Sequence, residues 1–486
     1  MIKTNTPLLD AILAATRQPH ASFYTPGHKR GQGISQELIK HFGISIFQAD
    51  LPELPELDNL FTPAGIIQEA QQLAAATFGA SETWFLVNGS TSGIIAAILA
   101  NCCPGDKIIL PRNIHKSVIS GLIFSGAMPI FISPECDRHW DLANSITPAA
   151  VADALAQHPD TKAVMMVYPT YHGVGGNVAE IAKICHQYNI PLLVDEAHGA
   201  HFAFHPDFPQ TALAAGADLS VQSIHKTLSA MTQASMLHIQ GNLIDKQRIN
   251  QALALIQSSS PSYLLLASLD VARQQMAEAG KKLMAKTLDL ADMAINKISN
   301  IAGLSVFQHQ QITPGFFSFD RTRLTVKVSD LGISGFTADE ILCQNHVIAE
   351  LPTLRHITFI ISLGNTLNDI NQLVKAFIDL SEQAKLNYQE LKSIDFPSLP
   401  ASVCLPVSLS PRQAFFAQTE TLPVKQAINR ISAELVCPYP PGIPLLMPGE
   451  IITTAVVEYL EEILALGGKI TGCSDFSFTT LKVVGN

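Results

Sequence analysis

Short apolar segments alternate with helical patterns through the first half of the chain, and this alternation limits the possible folds more than any other feature. Six segments have the length and apolar content of buried strands: residues 84–87, 107–110, 129–132, 163–168, 191–195 and 217–221. Helical patterns lie between them at residues 93–101, 114–124, 148–157 and 180–188. We expect βαβ units that build a largely parallel sheet flanked by helices. Ligands of such sheets bind at the carboxyl ends of the strands.

The rest of the chain indicates two further domains. Helical patterns dominate residues 264–301, and a smaller α/β region follows with strands at 323–328 and 357–362. The prolines spaced along residues 396–411 are typical of a linker. We therefore expect a large N-terminal domain over residues 1–285, a small α/β domain over 286–390 and a C-terminal domain over 391–486.

Composition excludes several functional classes. The chain has 486 residues, of which 47% are hydrophobic and 15% charged, so it can bury a large core. Its net charge of −10 and its lack of a basic block argue against a nucleic acid partner. The longest apolar run, residues 93–100, is too short to span a membrane. The eight cysteines show no paired spacing, which predicts a reducing compartment, the cytoplasm.

Lys226 follows the predicted strand at 217–221, and no carboxylate lies within several positions of it. A buried ammonium is costly, so burial would lower the pKa of this lysine. Its free amine would then be a nucleophile suited to a Schiff base. The alternative is an ordinary lysine whose charged end reaches water.

The loop at residues 88–93 combines two glycines with Ser90, Thr91 and Ser92, directly before a helix. Backbone amides at a helix N-terminus attract anions, and the hydroxyls add donors, so we expect this loop to hold a phosphate. A helix cap alone would need only one hydroxyl. A hydrolase nucleophile elbow would need a serine where Thr91 stands.

The stretch at residues 51–60 holds two prolines among three acids, Glu53, Glu56 and Asp58. The prolines exclude a regular helix or a central strand through it. A segment held extended presents carboxylates at little entropic cost, so we expect these acids to bind a cation. A solvated surface loop is the alternative.

The residues around Lys226 resemble the pyridoxal-phosphate attachment signature of the ornithine/lysine/arginine decarboxylase family. Ser223 stands three residues before the lysine, His225 stands directly before it, and Thr232-Gln233-Ala234-Ser235 follows. The resemblance continues along the chain. The family opens its cofactor domain with a sequence similar to residues 25–29, and it carries a C-terminal signature similar to residues 437–444 and 447–450.

This resemblance implies a fold-type-I enzyme that binds pyridoxal 5'-phosphate. Lys226 would hold the cofactor, and Asp195, the first polar residue after a strand, would keep the ring nitrogen protonated. His115 would stack on the ring. A serine of a neighbouring subunit, Ser259 or Ser260, would complete the phosphate site, although an ordinary serine-rich turn is the alternative. The remaining residues expected at the cofactor are Ser90, Thr91, Ser92, His198, Ser223 and His225.

A metal site competes with this interpretation of the histidines. His198, His201 and His205 follow Asp195 at spacings of three and four residues, which would suit a helix. Aromatic residues and a proline between them break a helical pattern. We therefore expect no metal here.

The implied reaction is decarboxylation of a basic L-amino acid, with arginine favoured and lysine or ornithine possible. His225 or Lys226 would return a proton to Cα. The far cation of the substrate needs a carboxylate, for which Glu53, Glu56, Asp58 and Glu350 are the candidates. The short form of the family lacks an N-terminal wing domain, which implies a dimer or a pair of dimers. An aminotransferase would normally add an arginine for the α-carboxylate, and a non-catalytic regulator would normally add a DNA-binding segment.

Overall fold

The computed structural model describes residues 5–308, 311–387, 405, 407–439 and 443–485. Most of the linker predicted at 396–411 and residues 440–442 of the C-terminal signature lie outside this part of the chain.

Helices occupy much of the described chain, and one of them, α11, runs for 36 residues. In chain order the α-helices are α1 Pro7–Arg17, α2 Gln36–Phe42, α3 Ile44–Ala49, α4 Ile66–Phe78, α5 Gly89–Asn101, α6 Lys116–Ser125, α7 Pro148–Gln157, α8 Val178–Gln187, α9 Ile224–Thr227, α10 Lys246–Ile256, α11 Tyr263–Ile298, α12 Gly335–Gln344, α13 Leu367–Asn387, α14 Pro411–Phe416 and α15 Thr454–Ala465.

The strands are mostly short, and several have only two residues. In chain order they are β1 Glu82–Leu86, β2 Lys107–Pro111, β3 Met128–Ile132, β4 Cys136–Asp137, β5 Leu142–Ala143, β6 Ala163–Val167, β7 Val174–Gly175, β8 Leu192–Asp195, β9 Leu219–Gln222, β10 Ser235–Ile239, β11 Ser305–Val306, β12 Ser318–Phe319, β13 Arg323–Lys327, β14 Leu351–Pro352, β15 His356–Ile360, β16 Thr419–Pro423, β17 Cys437–Tyr439, β18 Lys469–Thr471 and β19 Thr480–Val484.

A seven-stranded sheet in the order β1-β10-β9-β8-β6-β2-β3 contains the six predicted strands. Strand β2 pairs in parallel with β3 and β6, and its centre is buried, as expected for strands covered on both faces. The α/β fold with a mainly parallel sheet is therefore confirmed. One edge differs, because β10 pairs antiparallel with both β9 and β1. Strand β10 was not predicted, since it follows the lysine signature closely and carries a buried histidine, His238.

Two predicted helix starts need correction. Helix α5 begins at Gly89 and not at residue 93, because the glycine and hydroxyl residues of the loop form its first turn. Helix α6 begins at Lys116 and not at residue 114, because the His115 side chain caps it by accepting a hydrogen bond from the Ser117 amide. The acidic stretch contains one 3-10 turn, Pro55–Leu57, whose first position suits proline.

The chain divides into two compact units. The first comprises Met1–Asn101, Val194–Pro206 and Gln210–Met284, and the second comprises Cys102–Leu193, Asp207–Pro209 and Ala285–Asn486. Each unit is discontinuous in sequence, so the three-domain organisation expected from the sequence remains a prediction. Within the described ranges, no helix is both long and apolar enough to cross a membrane.

The second unit contains two separate apolar cores after residue 285. Strands β11, β13, β15 and β14 form an antiparallel sheet, and its apolar face packs with α12, α13 and the end of α11. The other core lies around α15 and includes residues from β18 and β19, together with Val436, Leu445 and Leu446. Residues that flank the described parts of the C-terminal signature therefore belong to a packed core.

Candidate active site

Lys226 lies on the single turn α9, directly after the buried strand β9. The amide of Lys226 donates to the Ser223 carbonyl at 3.1 Å, which fixes the start of this turn. The Lys226 Nζ atom lies 3.1 Å from His198 Nε2, and the lysine is half-buried. The structure thus brings together two of the residues expected at the cofactor.

Asp195 ends strand β8 in the same unit and is 6% exposed. One carboxylate oxygen accepts a hydrogen bond from the Ala197 amide at 3.2 Å. Burial raises the pKa of Asp195, while the charge of Lys226 and the Ala197 amide oppose the rise. A carboxylate desolvated in this way gains strongly from a cation beside it, and a protonated ring nitrogen is such a cation.

Glu196 is a buried acid whose role the sequence analysis missed. Its carboxylate accepts hydrogen bonds from the Ser220 hydroxyl at 2.5 Å, the Gln222 amide group at 2.9 Å and the Ala212 amide at 2.9 Å. Burial raises its pKa to about 7, although these three donors favour the charged form. The carboxylate links the end of β8 to β9, which leads to Lys226. The polar pair Ser220 and Gln222 in an otherwise apolar strand was the available signal.

Two glycines shape the loop at residues 88–93. Gly89 has a φ of +75°, a conformation that favours glycine. A Cβ on Gly93 would lie 2.7 Å from Leu86 Cδ1 and 2.7 Å from Val221 Cγ1, so only glycine lets α5 approach β1 and β9 this closely. The glycines therefore bring the start of α5 close to the strand that leads to the lysine.

The three hydroxyls of this loop have different surroundings. Ser223 donates to the Ser90 hydroxyl at 2.8 Å, which joins two residues expected at the cofactor. Thr91 is exposed. Ser92 is buried and donates to the Gly89 carbonyl at 2.8 Å, so this hydroxyl stabilises the turn. Ser90 and Thr91 are consequently the hydroxyls best placed to meet an anion.

The serine run is held beside the same loop within one chain. The Ser258 amide donates to Asn88 Oδ1 at 3.2 Å, and the Val87 amide donates to Gln257 Oε1 at 2.9 Å. Ser259 and Ser260 are exposed. The chain thus places the start of the serine run beside Asn88, and the hydroxyl expected from a neighbouring subunit stays a prediction.

His225 lies beside Lys226 and is half-buried. Its backbone amide donates to the Ala234 carbonyl at 3.2 Å. Burial, together with the charge of Lys226, lowers the pKa of His225. Its ring is therefore neutral near pH 7 and can relay a proton between its two nitrogens.

His115 belongs to the second unit, where it caps α6. Its Nδ1 atom accepts a hydrogen bond from the Ser117 amide at 3.2 Å and lies 2.8 Å from the Ser117 hydroxyl. An accepting Nδ1 places the ring proton on Nε2. The imidazole is therefore fixed both in orientation and in tautomer.

Asp58 and Glu53 hold the acidic stretch together. The carboxylate of Asp58 accepts hydrogen bonds from the amides of Asn59, Ala64, Gly65, Ile67 and Gln68. Burial acts to raise the pKa of Asp58, but the backbone hydrogen bonds outweigh it and lower the pKa. Glu53 accepts from Asn59 Nδ2 at 2.7 Å and from the Leu60 amide at 3.2 Å. These contacts order the loop before α4.

The other two candidate acids, Glu56 and Glu350, are exposed. The Glu350 amide donates to the Thr358 carbonyl at 3.1 Å, and its negative charge acts to raise the pKa of the buried Arg323. Glu350 belongs to the second unit and Glu56 to the first.

The histidines of the metal alternative differ in environment. His201 is 2% exposed and its ring packs edge-on against Phe202, whereas His205 is partly exposed beyond a 3-10 turn, Phe202–Phe204. Across the ranges that the structure covers, no group of three or more histidine, cysteine or acidic side chains is arranged to hold a metal ion.

The first unit thus joins an amine, a buried carboxylate, an imidazole and a set of hydroxyls. An amine can bind an aldehyde, a carboxylate can pair with a ring N–H, and hydroxyls at a helix N-terminus can bind a phosphate. Pyridoxal phosphate carries these three groups, so the residues present fit it.

Known proteins with similar sequences point the same way. Residues 6–369 match the family described as Orn/Lys/Arg decarboxylase, major domain, and residues 392–474 match the C-terminal domain of that family. An arginine decarboxylase of Bacillus anthracis is 39% identical over 99% of this chain and 97% of its own length. The lysine decarboxylase LdcA of Pseudomonas aeruginosa is 27% identical over 94% of this chain and 75% of its own.

Solved structures show the same fold. The lysine decarboxylase LdcF of Francisella novicida superposes with a TM-score of 0.85 at 21% identity, covering 99% of this chain and 81% of that one.

Proposed function

The chain belongs to the Orn/Lys/Arg decarboxylase family, and from this premise we propose that it converts L-arginine to the corresponding amine and CO2. The identity of 39% to an arginine decarboxylase along nearly the whole of both chains carries the choice of arginine. The relative named for lysine is 27% identical and is matched over only 75% of its length. Lysine and ornithine would then be poorer substrates.

The cofactor of this proposal is pyridoxal 5'-phosphate. When bound, its protonated ring withdraws the electron pair that remains at Cα as CO2 leaves. Lys226 holds the cofactor through its Nζ atom, and the contact with His198 Nε2 orients that amine. Asp195 keeps the ring nitrogen protonated, and Ser90 and Thr91 bind the phosphate, with Ser259 or Ser260 adding a hydroxyl.

Either Lys226 or His225 returns a proton to Cα of the substrate. The two are adjacent on α9, and the neutral ring of His225 relays a proton without adding a second charge beside the ammonium. His115 stacks on the cofactor ring, and its fixed orientation supports this role. Ser223 supports the phosphate site by donating to Ser90.

The distal cation of the substrate requires a carboxylate, because a buried guanidinium without a partner would cost several kcal/mol. Glu53, Glu56, Asp58 and Glu350 remain the proposed candidates. Replacing each by its amide should raise the KM of at least one variant and leave the cofactor spectrum unchanged. Glu56 and Glu350 are favoured, because the oxygens of Asp58 and Glu53 already accept backbone hydrogen bonds.

We also propose a homodimer or a pair of dimers in the cytoplasm. Helices α2 and α3 bury none of their residues within the described chain, and Phe23 and Phe42 are 94% and 64% exposed. Such apolar surface usually marks a contact with another chain. The seven cysteines within the described residues are free thiols, which agrees with a reducing compartment. Light scattering and cell fractionation test these two points.

A comparison of three substrates tests the choice of arginine. CO2 release from L-arginine, L-lysine and L-ornithine is measured at equal concentrations, with Lys226→Ala as the inactive control. We expect kcat/KM for arginine to exceed the other two by about 100-fold or more, since a mismatched buried polar partner costs several kcal/mol. A larger value for lysine or ornithine would refute arginine as the substrate and leave the decarboxylase assignment in place.

A further inference from the structure

Arg112 is a buried cation that the proposed reaction does not use. It directly follows strand β2, three residues before His115, and is 1% exposed. Its guanidinium donates to the Pro444 carbonyl at 2.6 Å, the Leu445 carbonyl at 2.9 Å and Glu450 Oε2 at 3.1 Å. The ring of Phe131 lies 5.6 Å from the centre of the guanidinium group. All of these partners belong to the second unit.

The segment that accepts the hydrogen bonds of Arg112 is held in place by its own backbone contacts. Residues 444–450, here called the anchor loop, are tied to the core by hydrogen bonds from Leu445 N to the Val436 carbonyl and from Val436 N to the Leu446 carbonyl. Gly449 has a φ of +95°, and a Cβ there would lie 2.1 Å from the Leu409 carbonyl oxygen. The loop can therefore adopt this path only with glycine, and its carbonyls are held at fixed positions.

The charges of this pair depend on each other. Glu450 is also 1% exposed, and its Oε2 accepts a second hydrogen bond from the Met447 amide at 2.8 Å. Burial raises the pKa of Glu450 to about 7, against the opposing charge of Arg112 and the Met447 amide. Removing one partner of a buried pair leaves the other charge uncompensated, which is strongly destabilising locally.

The segment between Arg112 and His115 is short and is held by backbone contacts. Its backbone begins with a hydrogen bond from Arg112 N to the Ile132 carbonyl at 3.0 Å, and Ile114 is completely buried. His115 then caps α6. His115 therefore lies three residues from the anchored Arg112, on a segment whose backbone is held at both ends.

We propose that Arg112 and Glu450 are positioning residues that hold the His115 segment against the anchor loop and so set the orientation of the His115 imidazole. This proposal rests on the proposed function, in which His115 contacts the cofactor. It also gives a structural role to the proline-rich C-terminal signature, since Pro444 and Glu450 of that signature accept hydrogen bonds from Arg112.

A double-mutant cycle on cofactor affinity tests the proposal. The dissociation constant of pyridoxal phosphate is measured by absorbance and fluorescence titration for the parent, Glu450→Ala, His115→Ala and the double variant. We expect Glu450→Ala to weaken binding about tenfold in the parent, because displacement of a contact group by a fraction of an ångström has effects of this size. In the His115→Ala background the same change should weaken binding less than about twofold, because interacting residues are not additive.

Two further variants separate positioning from folding. Glu450→Gln keeps one acceptor for Arg112 and should recover part of the lost affinity. Glu434→Ala is the matched control, since Glu434 is a buried acid of the same unit whose carboxylate accepts from the Ser474 and Lys482 amides. It should lower the melting temperature and leave cofactor affinity unchanged. If Glu450→Ala does not fold, Arg112→Lys enters the same cycle, because lysine keeps the charge and loses the branched guanidinium.

Additive losses in the cycle, or parental cofactor affinity in Glu450→Ala and Arg112→Lys, would overturn the proposal. Failure of the proposed function would show differently, as no CO2 release by the parent enzyme. The titration uses pyridoxal phosphate alone, so its outcome does not depend on the substrate.

Discussion

A lysine that holds pyridoxal phosphate must present a neutral amine, and His198 Nε2, 3.1 Å from Lys226 Nζ, is a hydrogen-bond partner for that amine. The residues that flank the lysine were readable from the sequence, because attachment signatures are local. The contact with His198 was not, since 28 residues separate the pair. It follows from the adjacency of β8 and β9 in the sheet.

Borohydride reduction should fix the cofactor on Lys226. We expect peptide mapping of the reduced protein to place the pyridoxyl group there, and Lys226→Ala to lose the visible absorbance while keeping its circular dichroism spectrum. Lys246→Ala is the matched control, because Lys246 is an exposed lysine paired with Glu82. A label on another lysine would contradict the assignment.

Asp195→Asn should bind the cofactor and turn over slowly. The amide cannot hold the ring nitrogen protonated, and each ~1.4 kcal/mol of lost stabilisation is tenfold in rate, so we expect kcat to fall by at least ~100-fold. Single-turnover CO2 release measures this change. Near-parental kcat would mean that another group pairs with the ring nitrogen.

The buried histidine His238 should make the stability of the folded protein depend on pH in acid. Burial lowers its pKa to about 3, and its Nδ1 lies 2.8 Å from the Thr83 hydroxyl. Between pH 6.5 and about 3 the unfolded chain binds a proton that the folded chain does not. The stability contributed by neutral His238 is therefore fully present above pH 6.5 and is lost as the pH falls.

His238→Gln should consequently lose less stability in acid. Between pH 6.5 and 4, we expect the free energy of unfolding to fall more steeply with decreasing pH for the parent than for His238→Gln. The two slopes, measured by urea titration, should differ by up to about 1.4 kcal/mol per pH unit. Equal slopes for His238→Gln and the parent would show that this residue does not titrate as described.

At the scale of elements, the strands and helices with a regular apolar pattern could be predicted from the sequence. Six of the seven strands of the sheet and the helices between them were found because each has its own apolar pattern. Strand β10 was missed because Ser235 and His238 interrupt its apolar character, and both residues are buried only through pairing with β9 and β1. The antiparallel edge is a tertiary property that the local pattern does not contain.

In the acidic stretch, a residue that was expected to bind a cation stabilises the backbone at the start of a helix. The carboxylate of Asp58 accepts amides at the start of α4, so Asp58→Asn should lower the free energy of unfolding by about 1 kcal/mol, as loss of a helix cap does. Glu56→Gln, which changes an exposed acid of the same turn, should leave stability unchanged. Thermal unfolding compares the two variants. Equal stability of Asp58→Asn and the parent would contradict the capping role.

At the scale of the whole chain, the most informative pair was beyond sequence reasoning. Arg112 and Glu450 are separated by 338 residues, and neither stands in a local pattern that predicts an ion pair. The proline-rich signature near Glu450 was visible in the sequence, but its contacts arise only when the C-terminal core packs. A buried ion pair between residues far apart in the sequence therefore could not be predicted for this chain.

The carbon balance of the reaction tests the central claim most directly. Purified enzyme with pyridoxal phosphate is incubated with L-arginine labelled in the carboxyl carbon, and labelled CO2, amine and keto acid are quantified together. We predict CO2 and amine in equal amounts with no keto acid, and none of these products from Lys226→Ala. Keto acid without CO2 would identify an aminotransferase, and the absence of any product from all three basic amino acids would contradict the account.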